Sequence, residues 1–171
     1  MLRWLWIAVV VLIIDQATKI WANTSLDLHR PTDFLPYLNI TLSYNTGAAF
    51  SFLSQAGGWQ RWFFVVLAIG VSGFIVHWIR RLPSTDVWLA IALSLILGGA
   101  VGNVVDRIYL GYVVDFLDFY YLSASCLPFF ATNGGQCHWP TFNIADSAIF
   151  VGAIMLVIDS FRSKNEDDAK L

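Results

Sequence analysis

Val87-Trp88-Leu89-Ala90-Ile91-Ala92-Leu93-Ser94-Leu95-Ile96-Leu97-Gly98-Gly99-Ala100-Val101-Gly102-Asn103-Val104-Val105 carries no charged side chain. About 20 such residues, each rising about 1.5 Å, cross the hydrocarbon of a bilayer. Where no water reaches the backbone, every N–H and C=O must be satisfied within the segment, so this run reads as a membrane helix. Three more apolar runs are long enough to do the same, at about Trp4 to Ala22, Trp62 to Ile79 and Asn143 to Phe161. The whole chain agrees with them. Of its 171 residues 57% are hydrophobic and only 13% charged, where a soluble domain carries about 25%. Mean hydropathy is +0.63. Residues 1–171 thus read as one integral membrane domain. A net charge of −2 gives no reason to expect nucleic acid as a partner. No Gly-rich phosphate loop, dinucleotide fingerprint or zinc-spaced Cys/His set is present.

The first run begins after Arg3 and resembles a signal peptide, but it continues past Asp15 and Lys19 without a convincing small-residue cleavage site. It is expected to be an uncleaved helix. Basic residues orient the bundle. Arg3, Arg80, Arg81, Arg162, Lys164 and Lys170 fall on one side if both termini are cytoplasmic. Lys19, Arg30, Arg61 and Arg107 then fall at or near the outer face. Trp59, Trp62, Trp78, Trp88 and Trp139 lie near span ends, as an aromatic belt requires.

Two segments, about 23–61 and 106–142, are then extracytoplasmic. Tyr37–Tyr44 is β-branched and aromatic with partial alternation, which predicts a short strand. Asn45-Thr46-Gly47 reads as a turn. Phe116–Leu122 looks amphipathic and is expected to lie on the bilayer surface. A polar, Gly-containing loop is expected over Ala131–His138, and a frayed charged tail over Ser163–Leu171.

Ionisable groups inside a membrane protein cost several kcal/mol, roughly 2.5–3.5 on insertion scales, and usually serve a function. Asp115 follows the third span and Asp146 lies just inside the fourth. Two acids at one membrane face suggest an aspartic-protease-type pair. By itself, Asp146 is also what a helix dipole favours in a first turn. Asn143, three residues earlier, shares its face and could orient it. Asp15 and Lys19 are four apart on one helix face, the spacing of an intrahelical ion pair. Gly98, Gly99 and Gly102 allow close helix packing. Asn103, Asp106 and Arg107 follow, and Asp106 beside Arg107 reads as a structural clamp. Cys126 and Cys137, eleven apart, suit a disulfide on an oxidising face. With His138 they do not complete a metal ligand set.

Five motifs recur in order on this four-helix frame: Asp15-Gln16-Ala17-Thr18-Lys19, Asn45-Thr46-Gly47-Ala48-Ala49-Phe50, Gly98 through Arg107, Val113-Val114-Asp115-Phe116, and Phe142-Asn143-Ile144-Ala145-Asp146-Ser147. In this the chain resembles bacterial lipoprotein signal peptidase (signal peptidase II), over about Trp4 to Phe161. The resemblance implies an all-α polytopic membrane protein with four transmembrane helices, a small extracytoplasmic β-cradle at Tyr37–Tyr44 and a surface helix at Phe116–Leu122. It implies an aspartic endopeptidase of the inner membrane, with its active site at the periplasmic face. Asp115 and Asp146 would be the catalytic dyad, while Asp15, Lys19, Asn45, Gly47, Asn103, Asp106, Arg107 and Asn143 would bind substrate or support the site. The substrate would be a prolipoprotein carrying diacylglycerol on its lipobox cysteine, cut on the amino side of that cysteine. Membrane lipids and cyclic-peptide inhibitors of the globomycin type would be further partners, and no metal or other cofactor would be needed. Asp115 and Asp146 are 31 positions apart, a longer segment than the resemblance leads one to expect. The segment contains both cysteines, which suggests an enlarged flap stapled by a Cys126–Cys137 bond. A proton-coupled transporter is the competing reading. It needs an acid near the midplane, and Asp15 is the one candidate. A purely structural membrane protein would leave the outer acids and asparagines unexplained.

Overall fold

Each apolar run folds as a helix. After a short 3-10 turn at Leu2–Trp4, α1 spans Leu5–Ser25, followed in the chain by α2 at Trp59–Arg81, α3 at Val87–Tyr109 and α4 at Ile144–Asp168. All four are long and apolar enough to cross a membrane. The computed structural model describes residues 1–47, 58–123, 125–127, 130–133 and 135–168. Helical hydrogen bonding continues past the apolar runs into polar flanks, so α1 reaches Ser25 and α3 reaches Tyr109. α4 likewise runs on to Asp168, into the segment expected as a charged tail. Residues Ala169–Leu171 lie outside the described ones.

Burial along α1 is inverted relative to a water-soluble helix. Ala8, Asp15, Lys19 and Ala22 are buried, while Trp6, Ile13 and Ile20 are each more than half exposed. Spacings of seven, four and three put the buried four on one stripe, with the apolar side chains turned outward as a lipid environment permits. In α3, 56% of the apolar window is buried, against 28% in α1 and 17% in α2 and α4, so α3 is the most enclosed helix.

Met1–Asp15, Leu67–Val104 and the described part of Ile144–Leu171 form one compact unit. Its core gathers Ala8, Ile75, Ile79, Leu93 and Leu97. The glycine run of α3 serves close approach. A Cβ on Gly98 would meet the Ala8 carbonyl oxygen at 2.8 Å, and one on Gly99 would meet Ile149 Cγ1 at 2.8 Å. Small residues are thus what lets α3 lie against α1 and α4.

The described part of Gln16–Val66 and Val105–Asn143 form the second unit, built on an antiparallel sheet. Its strands are β1 (Thr32–Leu35), β2 (Leu38–Asn45), β3 (Val113–Leu122), β4 (Ala131–Asn133) and β5 (Gln136–His138), in the order β1-β2-β3-β5-β4. The strand expected at Tyr37–Tyr44 is β2. The surface helix expected at Phe116–Leu122 is corrected, since that stretch is the greater part of β3, and the fold is four helices plus a sheet, not all-α. Two causes decide this. Gly111 takes φ +91°, and both Leu110 N–H and Gly111 N–H donate to the Asp106 carbonyl, at 2.7 and 3.3 Å, which ends α3 as a left-handed glycine ends many helices. The Val, Phe and Tyr content that follows then suits a pleated surface, with β2 pairing on one side and β5 on the other. The loop expected at Ala131–His138 is likewise corrected to the β4–β5 hairpin, with Gly135 at φ +83°.

Candidate active site

In the second unit the sheet presents Asp115. Its β3 position faces Ser43 on β2, and only 1% of its surface is exposed. Asn143 Nδ2 donates to Asp115 Oδ1 at 2.7 Å and also lies 3.4 Å from the Val114 carbonyl oxygen. Asn45 Nδ2 donates to Asp115 Oδ2 at 3.2 Å. The Asn45 amide is itself oriented, because its Oδ1 accepts the Gly47 N–H at 3.0 Å, which turns the nitrogen toward the carboxyl. With an amide hydrogen on each oxygen, the plane of the Asp115 carboxyl is fixed. The turn expected at Asn45–Gly47 is therefore an Asx-type turn aimed at this acid. Arg107 supports it from behind, with Nη2 donating to the Gly47 carbonyl at 3.0 Å and its guanidinium 5.2 Å from the Phe64 ring centre. Ala48, Ala49 and Phe50 of the same motif lie outside the described residues.

Asp106 is buried in this unit too. Its Oδ2 lies 3.0 Å from Lys19 Nζ and accepts the Val114 N–H at 3.0 Å, while its Oδ1 accepts Gln16 Nε2 at 3.0 Å. The clamp read from Asp106 beside Arg107 is thus built with Lys19 and Gln16 on α1. Lys19 and Asp106 side chains are each 3% exposed, so neither charge has bulk water to fall back on. Beside them Tyr44 and Tyr112 stack with ring centres 4.2 Å apart, and Tyr44 donates its hydroxyl to Asn23 Oδ1 at 2.6 Å. Burial pushes the Tyr112 phenol above its usual range, helped by the charge and hydrogen bond of Tyr44 and by the charge of Asp106.

In the first unit Asp146 sits in the first turn of α4. Asn103 Nδ2, from α3, donates to Asp146 Oδ1 at 2.8 Å. Asn143 gives its amide to Asp115, and Asn103 reaches Asp146. Asp15 is fully buried, and its Oδ1 accepts the Ala145 N–H at 2.9 Å. That N–H is one of the donors a helix start leaves unpaired, so a carboxyl from α1 caps α4 one residue before Asp146. A Cβ on Gly102 would lie 2.5 Å from Asp15 Oδ2, so this glycine makes the cap possible. The acid that a transporter would place on its pathway is here engaged in holding a helix end.

Cys126 and Cys137 are joined by a disulfide, with Cα atoms 5.4 Å apart. His138 Nδ1 lies 2.8 Å from Asp118 Oδ1, and Thr41 donates its hydroxyl to Asp118 Oδ2 at 2.9 Å. The residues that sequence reasoning passed over are Gln16, Tyr44, Tyr112 and the Thr41–Asp118–His138 link. For Gln16 one signal exists, since it lies three residues before Lys19 and shares its helix face. The others become visible only once the strands are paired.

Comparison with known proteins gives a consistent picture. The family described as signal peptidase (SPase) II matches residues 7–162. The lipoprotein signal peptidase of Aeromonas hydrophila subsp. hydrophila is 49% identical over 168 residues, covering 98% of this chain and 93% of that one. That of Pseudomonas putida is 48% identical over 168 residues, covering 98% and 91%. Among solved structures, a bacterial membrane enzyme determined by the in meso method superposes with a TM-score of 0.79 at 31% identity, covering 96% of this chain and 90% of that one. A second, likewise a bacterial membrane enzyme, gives 0.72 at 32%, covering 92% and 91%.

Proposed function

The chain belongs to the signal peptidase II family, and from that premise we propose that it is an aspartic endopeptidase whose chemistry is shared by Asp115 and Asp146. The family membership carries the reaction: a multi-pass membrane protease that removes signal peptides from prolipoproteins. The catalytic type rests on one observation, that two carboxyls are each held by an asparagine amide, Asp115 by Asn143 and Asp146 by Asn103. Fixed carboxyl planes are what a proton-sharing pair needs, and neither holding group competes as a base.

The reaction follows in steps. In the proposed pair, two carboxyls within hydrogen-bond reach would not both ionise readily and would hold one proton between them. The ionised member takes a proton from water, and the protonated member polarises the scissile carbonyl. Water attacks, a tetrahedral intermediate forms, and the acid protonates the leaving amine. No covalent enzyme intermediate arises. Asp15 supports the site by capping α4 at Ala145, Arg107 by fixing the Gly47 turn, and Asn45 by orienting Asp115.

The substrate bears diacylglycerol on its lipobox cysteine and is cut on the amino side of it. Acyl chains in the outer leaflet hold the scissile bond at the interface, an orientation effect. The proposal puts the protein in the bacterial inner membrane with both termini cytoplasmic, the segments 23–61 and 106–142 outside, and the site at the periplasmic face, as the distribution of basic residues favours. Cyclic peptides of the globomycin type are expected to compete with substrate. A peptide spanning the cleavage site, made with and without the diacylglyceryl group, tests the reading. The purified protein should release a fragment beginning at the lipidated cysteine and leave the unlipidated peptide intact. Equal cleavage of both peptides, or cleavage elsewhere, would overturn it.

A further inference from the structure

We infer that Gln16 is a positioning residue for Asp115, acting through Asp106 and the Val114 peptide; the inference rests on the assignment of Asp115 to the dyad. The Asp106 carboxyl can turn about its Cβ–Cγ bond. Lys19 Nζ and the Val114 N–H both sit on Oδ2, at 3.0 Å each, and an ammonium accepts many approach directions. Among the described residues, the one directional contact on Oδ1 is Gln16 Nε2 at 3.0 Å, which stops the carboxyl plane from swinging. Once the plane is set, Oδ2 grips the Val114 N–H, and Asn143 Nδ2 approaches the Val114 carbonyl from the other side at 3.4 Å. Val114, the residue before Asp115, is therefore held at its N–H and at its C=O. Gln16 and Lys19 come from the same turn of α1, so a membrane helix sets the position of a side chain on a strand. Among the described residues, Lys19 Nζ pairs with Asp106 and the Asp106 charge acts on the Tyr112 phenol, with Arg107 next to Asp106 in the chain.

Two variants separate positioning from mere stabilisation. Gln16→Met removes the donor at nearly the same length. Gln16→Glu replaces it with a group that donates to Asp106 Oδ1 only while protonated, and repels it once ionised. With a diacylglyceryl-modified peptide as substrate, Gln16→Met should lose about tenfold in kcat with KM within about twofold of wild type, as for a displaced reacting group. Gln16→Glu should exceed Gln16→Met in kcat at acid pH and fall below it as pH rises, so that their pH profiles cross. Thermal unfolding reports the folded fraction of each. Wild-type kcat and profile shape in both variants would overturn the inference. So would losses that track the folded fraction with no crossing. Asp115→Asn is run alongside: if it is inactive while both Gln16 variants match wild type, the positioning role fails and the dyad stands. If Asp115→Asn cleaves normally, the dyad assignment fails and Gln16 has nothing to position.

Discussion

Asp115 is held by two amides whose own orientations are fixed, and that second layer is where its precision originates. Removing one layer has a calculable consequence. Asn143→Ala leaves Oδ1 without its 2.7 Å donor and should lower kcat by about 10–100-fold while KM changes little, which steady-state cleavage measures. The Lys19–Asp106 pair behaves differently. Lys19→Met strands a carboxylate that is 3% exposed, so stability should fall by about 3–5 kcal/mol, seen as an earlier thermal transition in detergent. At this scale the sequence displays the actors and hides their partners. Asp115, Asp146, Asn103 and Asn143 stand out because polar side chains are costly in apolar surroundings. That Asn143 serves Asp115, 28 positions away, depends on strand β3 arriving beside it, and no local spacing encodes that.

The helices are legible because length and apolarity alone determine them, and their glycines report which faces touch. Gly99→Val forces a side chain into the Ala145 backbone, and overpacking of this kind typically costs about 1–3 kcal/mol or more. Gly70→Ala on α2 meets nothing within 4 Å and should be neutral, or stabilising by up to about 1 kcal/mol. Thermal unfolding of the two variants side by side checks the contrast; equal effects would mean that α3 does not lie where described. The strands are less legible in the sequence. Phe116–Leu122 is apolar and short, and over such a length periodicity does not separate a surface helix from a paired strand. Its neighbours decide: β2 pairs on one side, Phe142 and β5 take the other, and β2 lies about 70 residues upstream, Asn45 Nδ2 reaching Asp115 across a separation of 70.

Across the whole molecule, the balance of lipid-facing side chains and buried polar ones is inverted from that of a soluble protein, and composition announces this at once. What composition does not announce is the segment between Asp115 and Asp146, where a hairpin and a disulfide extend the sheet. The bond closes a loop of separation 11, so a Cys126→Ala, Cys137→Ala double variant should lose roughly 2–3 kcal/mol on the chain-entropy view, and the wild type should have an intact mass two hydrogen atoms below that of its reduced form. Two free thiols in protein from an oxidising compartment would contradict the assignment. The central claim is that Asp115 and Asp146 act as one unit. Cleavage of a diacylglyceryl-modified peptide by folded Asp115→Asn, Asp146→Asn and the double variant tests it most directly. The account predicts that each single change removes about 10³-fold or more of kcat and that the double is no worse than either, the non-additivity of residues that work together. A folded single variant that turns over like wild type, or losses that multiply in the double, would contradict it.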